Sequence, residues 1–356
     1  DSTWVGQWIT AADCQNTPNT WIILRKTVSI DQVPEPFEAR IAADSKYWMW
    51  INDSLVVFEG GLKRGPNPEG TYYDVVDLSP YLKEGENTLA VLLWYFGKDG
   101  FSHKSSGKAG FLFDARKDGV SIVSDPSWQA TVYQAFQHTG KPYPNYRLPE
   151  SNIRYDARFA LPEWNTTAFK GLLPPAEVLA KAGEKPFGHL VERPIPLWKD
   201  YGLRPYEQVR RAGDTLICRL PYNCQMTPYI ELEAPAGDTI RIQTDNYRGG
   251  VEATRILLQS GHRRIACIQG VPHSMPNRRR VQGYLDALRQ AGLQEEAIIT
   301  GDAFSLENGY RQTKLAVAGP DRPTAIFALS NTILLGAVKA IRESGLRIPE
   351  DISVVS

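Results

Sequence analysis

The sequence has few cysteines. Its 356 residues include four, and none of them forms a CxxC pair or stands at metal-ligand spacing from a histidine. Common structural zinc motifs and CxxC redox motifs are therefore excluded. We expect buried or inert thiols, with a Cys218–Cys224 disulfide across neighbouring strands as the alternative. We predict neither a metal site nor a cofactor.

An excess of one charge is also absent, because 40 basic side chains balance 40 acidic ones. This balance argues against a protein whose main task is to hold nucleic acid through its phosphates. No apolar run reaches the roughly 18 residues that span a bilayer, so we predict no membrane association. The sequence opens on Asp1 with neither an initiator Met nor a signal peptide. We expect a processed or trimmed start, which leaves the compartment open.

Tryptophan is absent from the C-terminal part of the sequence. All nine tryptophans lie at or before Trp198, whereas the segment 251–356 has none. The earlier part has short alternating apolar runs typical of antiparallel strands, and in the later part strands alternate with amphipathic helices. We predict two modules that meet at residues 244–250. The fold class is a multidomain chain, in which an antiparallel β-sandwich precedes a partial α/β lobe with a parallel sheet.

The first module contains clear strand and turn signals. Residues 47–51 and 55–58 flank the turn Asn52-Asp53-Ser54 and predict a hairpin. Residues 88–95 are apolar on both faces, as in a central strand. Ser79 at the cap and Pro80 after it predict one short helical turn.

A Pro-rich connector at about 186–206 separates the sandwich from a second, smaller β unit. In that unit, residues 229–233 and 239–243 alternate with period two and predict a hairpin. We therefore predict three domains: a β-sandwich at 1–185, a small β unit with a hairpin at 186–249, and an α/β lobe at 250–356.

Several motifs of the first module, in this order, resemble the N-terminal β-domains of bacterial α-L-rhamnosidases. They are Arg25-Lys26, Tyr47-Trp48-x-Trp50-Ile51-Asn52, Asp77–Leu82, Glu84–Asn87, Trp94–Lys98, Gly100–His103 and Tyr155–Arg158. The resemblance implies a jelly-roll or galactose-binding-like accessory domain and a secreted or periplasmic location. In that family a helical barrel carries the catalytic carboxylates, and nothing like it follows residue 250. We therefore assign no catalytic residue.

Two side chains of this module are candidates for contact with a sugar. His103 follows small residues in a loop, and Trp94 offers a flat ring that could stack on a sugar face. An ordinary loop histidine and a core tryptophan are the competing interpretations.

The second module alternates strands and helices at a pitch that predicts right-handed βαβ units on a parallel sheet. Ligands of such sheets bind beyond the carboxyl ends of the strands. The predicted helices are 251–258, closed by Gly261, and 280–291, 306–318 and 332–344; the predicted strands are 264–268, 297–299, 325–328 and 352–355.

The motifs of this module resemble the effector-binding domain of LacI-type transcriptional repressors, which has a periplasmic-binding-protein-like fold. They are Asp245-Asn246-x-x-Gly249, Ser260–Ala266, Arg280-x-x-Gly283-Tyr284, Gly309-Tyr310, Pro323–Ala328 and Gly345–Val355. The resemblance implies a cytoplasmic module whose effector-binding residues are Arg280, Asn331, Phe304 and Asp245. Asn331 replaces the usual Asp and removes a formal charge.

The LacI-type family also has a helix-turn-helix headpiece and a first sensor lobe. Neither is found in this sequence, so we expect no DNA binding, and a small carbohydrate is the possible partner. The oligomeric state is not predicted.

We favour a chimera of two carbohydrate-related modules. It explains the compositional break, the lack of a catalytic barrel after the first module, and the lack of a headpiece and first sensor lobe before the second. One alternative is part of an α-L-rhamnosidase that hydrolyses terminal rhamnosides. The other is a sugar-responsive regulator without its headpiece.

Overall fold

The computed structural model describes residues 4–62, 69–99, 103–138, 153–221, 227–231, 233–235, 237–240, 242, 244–293 and 299–356. These residues fall into two compact units, one up to residue 234 and one from residue 235 onward. The three-domain division remains a prediction.

The described residues of the first unit form strands but no α-helix. In chain order the strands are β1 (Gln7–Ala11), β2 (Thr20–Ile30), β3 (Glu38–Asp44), β4 (Lys46–Ile51), β5 (Ser54–Gly61), β6 (Thr71–Asp77), β7 (Gly85–Tyr95), β8 (Gly110–Lys117), β9 (Val120–Val123), β10 (Gln129–Val132), β11 (Phe136–His138), β12 (Ile153–Tyr155), β13 (Ala176–Lys181), β14 (Leu190–Glu192), β15 (Gln208–Ala212) and β16 (Thr215–Arg219).

Two sheets enclose the main core of this unit. One has the order β13-β1-β8-β3-β6-β14, with β9 paired to β8, and the other has the order β10-β2-β7-β4-β5. The buried core combines residues of the first sheet, such as Ile41 and Phe111, with residues of the second, such as Leu24 and Val91. The predicted antiparallel β architecture is confirmed except that β14 pairs with β6 in parallel, and β7 lies at the centre of its sheet.

The turns of the first unit agree with the sequence except in one detail. Asn52 and Asp53 both have positive φ, 46° and 71°, as a two-residue hairpin turn between β4 and β5 requires. A single 3₁₀ turn covers Ser79–Tyr81, but Ser79 is not its cap. Asp77 instead accepts hydrogen bonds from the backbone N (3.0 Å) and Oγ (2.8 Å) of Ser79.

The segment between the sandwich and residue 244 differs from the prediction. A two-stranded hairpin is present, but it is β15–β16. The described residues among 229–243 form no strand. Tyr229 and Ile240 are 55% and 53% exposed, so the apolar residues of the two predicted strands have no core to pack on. An isolated pair of strands without such a core is at best marginally stable.

The second unit is an α/β lobe with a four-stranded sheet in the order β18-β17-β19-β20, in which every pairing is parallel. Its elements are α1 (Asn246–Gln259), β17 (Ile265–Ile268), α2 (Met275–Gln290), β18 (Ile299–Thr300), α3 (Leu306–Val317), β19 (Ala325–Ala328), α4 (Asn331–Glu343) and β20 (Ser353–Val355). The predicted alternation of strands and helices is confirmed.

Two helices begin about a turn earlier than expected. α1 starts at Asn246, whereas the sequence predicted a start at residue 251. The prediction missed the first turn because that turn contains Gly249 and Gly250, which are poor helix formers. α2 starts at Met275 instead of residue 280, with Pro276 in its first turn, where proline is tolerated. Residues 297 and 298 of the predicted third strand lie outside the described residues.

Glycines let the helices approach closely in pairs. A Cβ on Gly250 would lie 2.2 Å from the carbonyl oxygen of Arg280, and one on Gly283 would lie 2.1 Å from that of Tyr247. α3 and α4 meet in the same way at Gly309 and Gly336. These contacts place the first turn of α1 directly against α2.

Candidate functional site

The candidate site is the edge of the second unit where its parallel strands end. The loops after β17, β18 and β19 all leave the sheet at this edge, because parallel strands share one carboxyl side. The loop after β18 contains Phe304, and Asn331 follows β19 closely. Arg280 lies on α2, the helix that follows β17. The structure thus brings three of the four residues implied by resemblance to one edge.

Arg280 is held by two contacts from different parts of the lobe. Its Nε donates to the side-chain oxygen of Asn246 at 2.9 Å, and its Nη1 donates to the backbone oxygen of Leu329 at 2.5 Å. Leu329 lies two residues before Asn331. The guanidinium is therefore oriented at the end of β19, although its neighbours Arg278 and Arg279 on α2 are exposed.

Phe304 forms the apolar part of this edge. Its ring packs against Gly270, the second residue after β17, where a Cβ would lie 2.4 Å from the ring atoms. The backbone oxygen of Phe304 accepts from Thr332 Oγ1 at 3.3 Å. The half-buried ring therefore joins the loops after β17 and β18 to the start of α4.

Asn331 is the exposed first residue of α4. Its Oδ1 accepts from Ser356 Oγ at 3.4 Å. Ser330 acts as the N-cap and accepts from the backbone N of Ile333. The amide of Asn331 thus remains at the surface.

Asp245, the fourth residue that resemblance implied, lies at the start of α1. It is exposed and is the N-cap of α1, where its carboxylate accepts from the backbone N of Arg248 at 3.0 Å. The residue that contacts Arg280 is its neighbour Asn246, which the sequence did not single out. Asp245 itself could have signalled the helix start, because aspartate is a favoured N-cap residue.

Two buried amides fix the loops behind the site, and the sequence did not reveal them either. Asn277 accepts from the backbone N of Gly270 at 2.9 Å. Asn308 donates to the backbone oxygens of Gln269, at 3.0 Å, and Ala303, at 2.7 Å. Both loops that follow β17 and β18 are therefore held by side chains.

The candidate sugar contacts of the first unit are both buried, which corrects the expectation of an accessible site. His103 is 1% exposed, and its Nε2 lies 3.0 Å from Asp44 Oδ1 and 3.0 Å from Ser45 Oγ. Trp94 is 4% exposed; its ring stacks on that of Trp21, with centroids 4.3 Å apart. Neither ring presents a face to solvent. Residues 100–102 of the predicted loop lie outside the described residues.

Asp44 is the centre of the polar cluster around His103. Its Oδ1 also accepts from Ser45 Oγ at 2.9 Å, and its Oδ2 accepts from the backbone N and the Oγ of Ser106, both at 2.5 Å. The cluster holds the chain around residues 103–106 onto β3.

The cysteines are free thiols in the described residues. Cys14 is half-buried, Cys218 is exposed and Cys267 is fully buried in β17, where burial raises the pKa of the thiol. The alternative Cys218–Cys224 disulfide involves a residue outside the described ones.

No helix within the described residues is long and apolar enough to cross a membrane. In the same part of the chain, no group of three or more His, Cys, Asp and Glu side chains is placed to hold a metal ion.

Comparisons with known proteins relate the second unit to transcriptional regulators. A family model described as a periplasmic binding protein-like domain matches residues 254–356. An HTH-type transcriptional repressor PurR from Erwinia tasmaniensis is 42% identical over 122 residues, which are 33% of this chain and 36% of that protein. The ribose operon repressor of Escherichia coli is 36% identical over 121 residues, again 36% of its length. The chain thus spans about a third of these curated relatives.

Solved structures with similarity to the chain fall into two groups. A GH78 family rhamnosidase from Bacillus sp. GL1 is 25% identical and has a TM-score of 0.48, covering 55% of this chain and 20% of its own. A LacI-family regulatory protein from Chloroflexus aggregans is 34% identical, with a TM-score of 0.32, covering 34% of this chain and 44% of its own.

The relatives also correct one expectation. The first module suggested a secreted or periplasmic location, but the curated relatives of the second unit are named as transcriptional and operon repressors. A repressor of transcription acts where the chromosome is, so the secreted or periplasmic expectation is wrong. Over residues 254–356, the chain is similar to the periplasmic-binding-like domain of LacI-type regulators.

Proposed function

We propose that this chain is a carbohydrate-related chimera whose second unit binds a small sugar at the carboxyl edge of its sheet. The observation that supports this most directly is the convergence of Arg280, Phe304 and Asn331 on that edge. The first unit would be a non-catalytic accessory β-domain of the kind that precedes the barrel in α-L-rhamnosidases.

The chemistry of the three side chains suits a polyol. A guanidinium donates to hydroxyl oxygens in a fixed plane, while an amide both donates and accepts, as each hydroxyl group does. Phe304 adds an apolar surface for the CH groups of a sugar ring. Because Asn331 carries no charge, we propose a neutral sugar as the ligand.

The described residues of the second unit supply one face for this ligand. Enclosed pockets bury most of a ligand, so a single face gains only part of the contact energy. We therefore expect weak binding, with a Kd on the order of 1 mM.

Calorimetric titration with a panel of pentoses and hexoses tests this proposal. We expect saturable heat with at least one sugar, and loss of that heat in Arg280→Ala. The matched control is Arg278→Ala, which removes an exposed arginine from the same helix and should leave binding unchanged. Flat titrations with every sugar, or equal loss in both variants, would refute it.

For the first unit we propose a jelly-roll sandwich of the galactose-binding-like type. Two sheets with a shared core, antiparallel except for the β6–β14 pair, support this topology, and the ordered motifs of the sequence support the accessory role. The purified chain should not hydrolyse an aryl rhamnoside. Turnover of that substrate would instead favour a hydrolase.

We also propose that the chain does not bind DNA. A gel-shift assay with an operator fragment should show no retarded band. A retarded band would favour the alternative of a functional regulator.

A further inference from the structure

We infer that Asn246 is a positioning residue that holds the Arg280 guanidinium in its ligand-binding orientation. The inference rests on the proposed sugar site at the carboxyl edge. It assigns a role to the first turn of α1, which lies outside the residues that resemblance implied for the effector.

The geometry of the two contacts carries the inference. Asn246 Oδ1 takes the Nε hydrogen of Arg280 at 2.9 Å, and Leu329 O takes a hydrogen from Nη1 at 2.5 Å. The guanidinium is planar and rigid, so acceptors on two of its nitrogens fix both the position and the plane of the group. A lysine at position 280 could not be held in this way.

Asn246 is itself held in place by contacts that do not involve Arg280. The residue is 7% exposed, and both its backbone N, at 2.8 Å, and its Nδ2, at 3.1 Å, donate to the backbone oxygen of Thr244. The amide orientation is therefore set, with Oδ1 directed at Arg280.

The backbone of α1 supports the same contact. Gly250 packs against the carbonyl of Arg280 and Gly283 against that of Tyr247, at distances that no Cβ would allow. The close crossing of α1 and α2 brings Asn246 within hydrogen-bonding reach of a side chain on the other helix.

The expected consequence is a gain in affinity through preorganisation. Without Asn246, the guanidinium loses the acceptor at Nε, and a ligand would have to complete the ordering of the arginine side chain as it binds. Immobilising one flexible side chain weakens binding roughly three- to tenfold.

The test combines sugar titration with the NMR signal of the Arg280 Nε–H, which Arg280→Lys identifies by its disappearance. In the wild type this hydrogen should exchange slowly with solvent. In Asn246→Ala we expect fast exchange, together with the three- to tenfold loss of affinity. The control is Thr254→Val, which removes a buried hydrogen bond of the same helix, from Thr254 Oγ1 to Gly250 O, and should leave the signal unchanged.

Asn246→Asp is the conservative variant. Its carboxylate can still accept from Nε, now with charge assistance, so the Arg280 signal should stay protected and shift downfield. The Arg280 signal in Asn246→Asp therefore tests the inference even if Asn246→Ala fails to fold.

The results separate the positioning role from the proposed function. If no sugar binds the wild type, the proposed function fails, whereas the Nε–H signal still decides the role of Asn246. An unchanged, protected signal in Asn246→Ala, or an unshifted one in Asn246→Asp, would overturn the inference. So would a loss of affinity in Asn246→Ala without any change at Arg280.

Discussion

The buried ion pair between Asp74 and Arg193 should contribute strongly to the stability of the first unit. Arg193 Nη2 lies 2.6 Å from Asp74 Oδ1, and the two side chains are 11% and 3% exposed. Asp74 Oδ2 also accepts from the Tyr47 hydroxyl at 2.8 Å and from the backbone N of Gly61 at 2.9 Å. Arg193 directly follows β14, so the pair fastens that strand to the sandwich.

Removing either partner leaves the other charge buried. We expect Asp74→Asn and Arg193→Met each to lower the free energy of unfolding by about 3–5 kcal/mol. The double variant should cost less than the sum of the two, since it leaves no uncompensated charge. Arg219→Met is the control: its partner Glu207 and Arg219 itself are half or more exposed, so we expect a loss below about 1 kcal/mol.

The effect of Arg193→Met should depend on pH. Burial raises the pKa of Asp74 although Arg193 opposes the shift, and removing Arg193 raises it further. A carboxyl whose pKa is raised in the folded state stabilises that state at low pH, and the contribution is lost as pH rises through the folded pKa. The Arg193→Met deficit should therefore be largest near neutral pH and shrink as pH falls toward the ordinary pKa of Asp.

Denaturant unfolding followed by tryptophan fluorescence measures these changes in the first unit alone. All nine tryptophans lie at or before Trp198, and none lies in the second unit. A deficit of Arg193→Met that is constant between about pH 5 and pH 8, or no larger than that of Arg219→Met, would refute the reasoning.

Two further predictions concern the second unit and the segment before it. Gly250→Ala should destabilise the α/β lobe by about 1–3 kcal/mol, because its Cβ would meet the carbonyl of Arg280. Gly249→Ala has open space around the new Cβ, so we expect it to stabilise α1 by up to about 1 kcal/mol. Circular dichroism melts check this pair, and equal effects would contradict it. Limited trypsin digestion should cut within Gln208–Arg219 before it cuts the sandwich strands, since these residues are mostly exposed on both faces. Mass spectrometry locates the cuts, and a first cut within the sandwich would count against the expectation.

Local patterns were sufficient to predict much of the fold. The turn at Asn52-Asp53 and the doubly apolar run of β7 depend on neighbouring residues alone, and both are confirmed. The alternation of strands and helices in the second unit also predicted its parallel sheet. These features need no knowledge of which distant segments meet.

Features that depend on distant segments could not be predicted. His103 follows small residues in a loop-like sequence, yet its side chain is buried and contacts Asp44, which lies 59 positions earlier in the sequence. Arg193 and Asp74 likewise pair only because β14 lies beside β6. The Asn246–Arg280 contact was missed for the same reason, because it depends on how closely α1 crosses α2.

The structure also sharpens where a junction between the two parts of a chimera would lie. Residues 244–250 first marked a change of sequence texture, but Asp245 caps α1, Asn246 contacts Arg280 and Gly250 packs on α2. Each contact is with the second unit, and a crossover within this stretch would have had to recreate all three. We therefore propose that the second unit's own sequence begins no later than Asp245, and that the junction precedes it. On this view the exposed strand pair β15–β16 belongs to an incomplete β unit of the first part, together with the described residues after it up to residue 234, which form no strand.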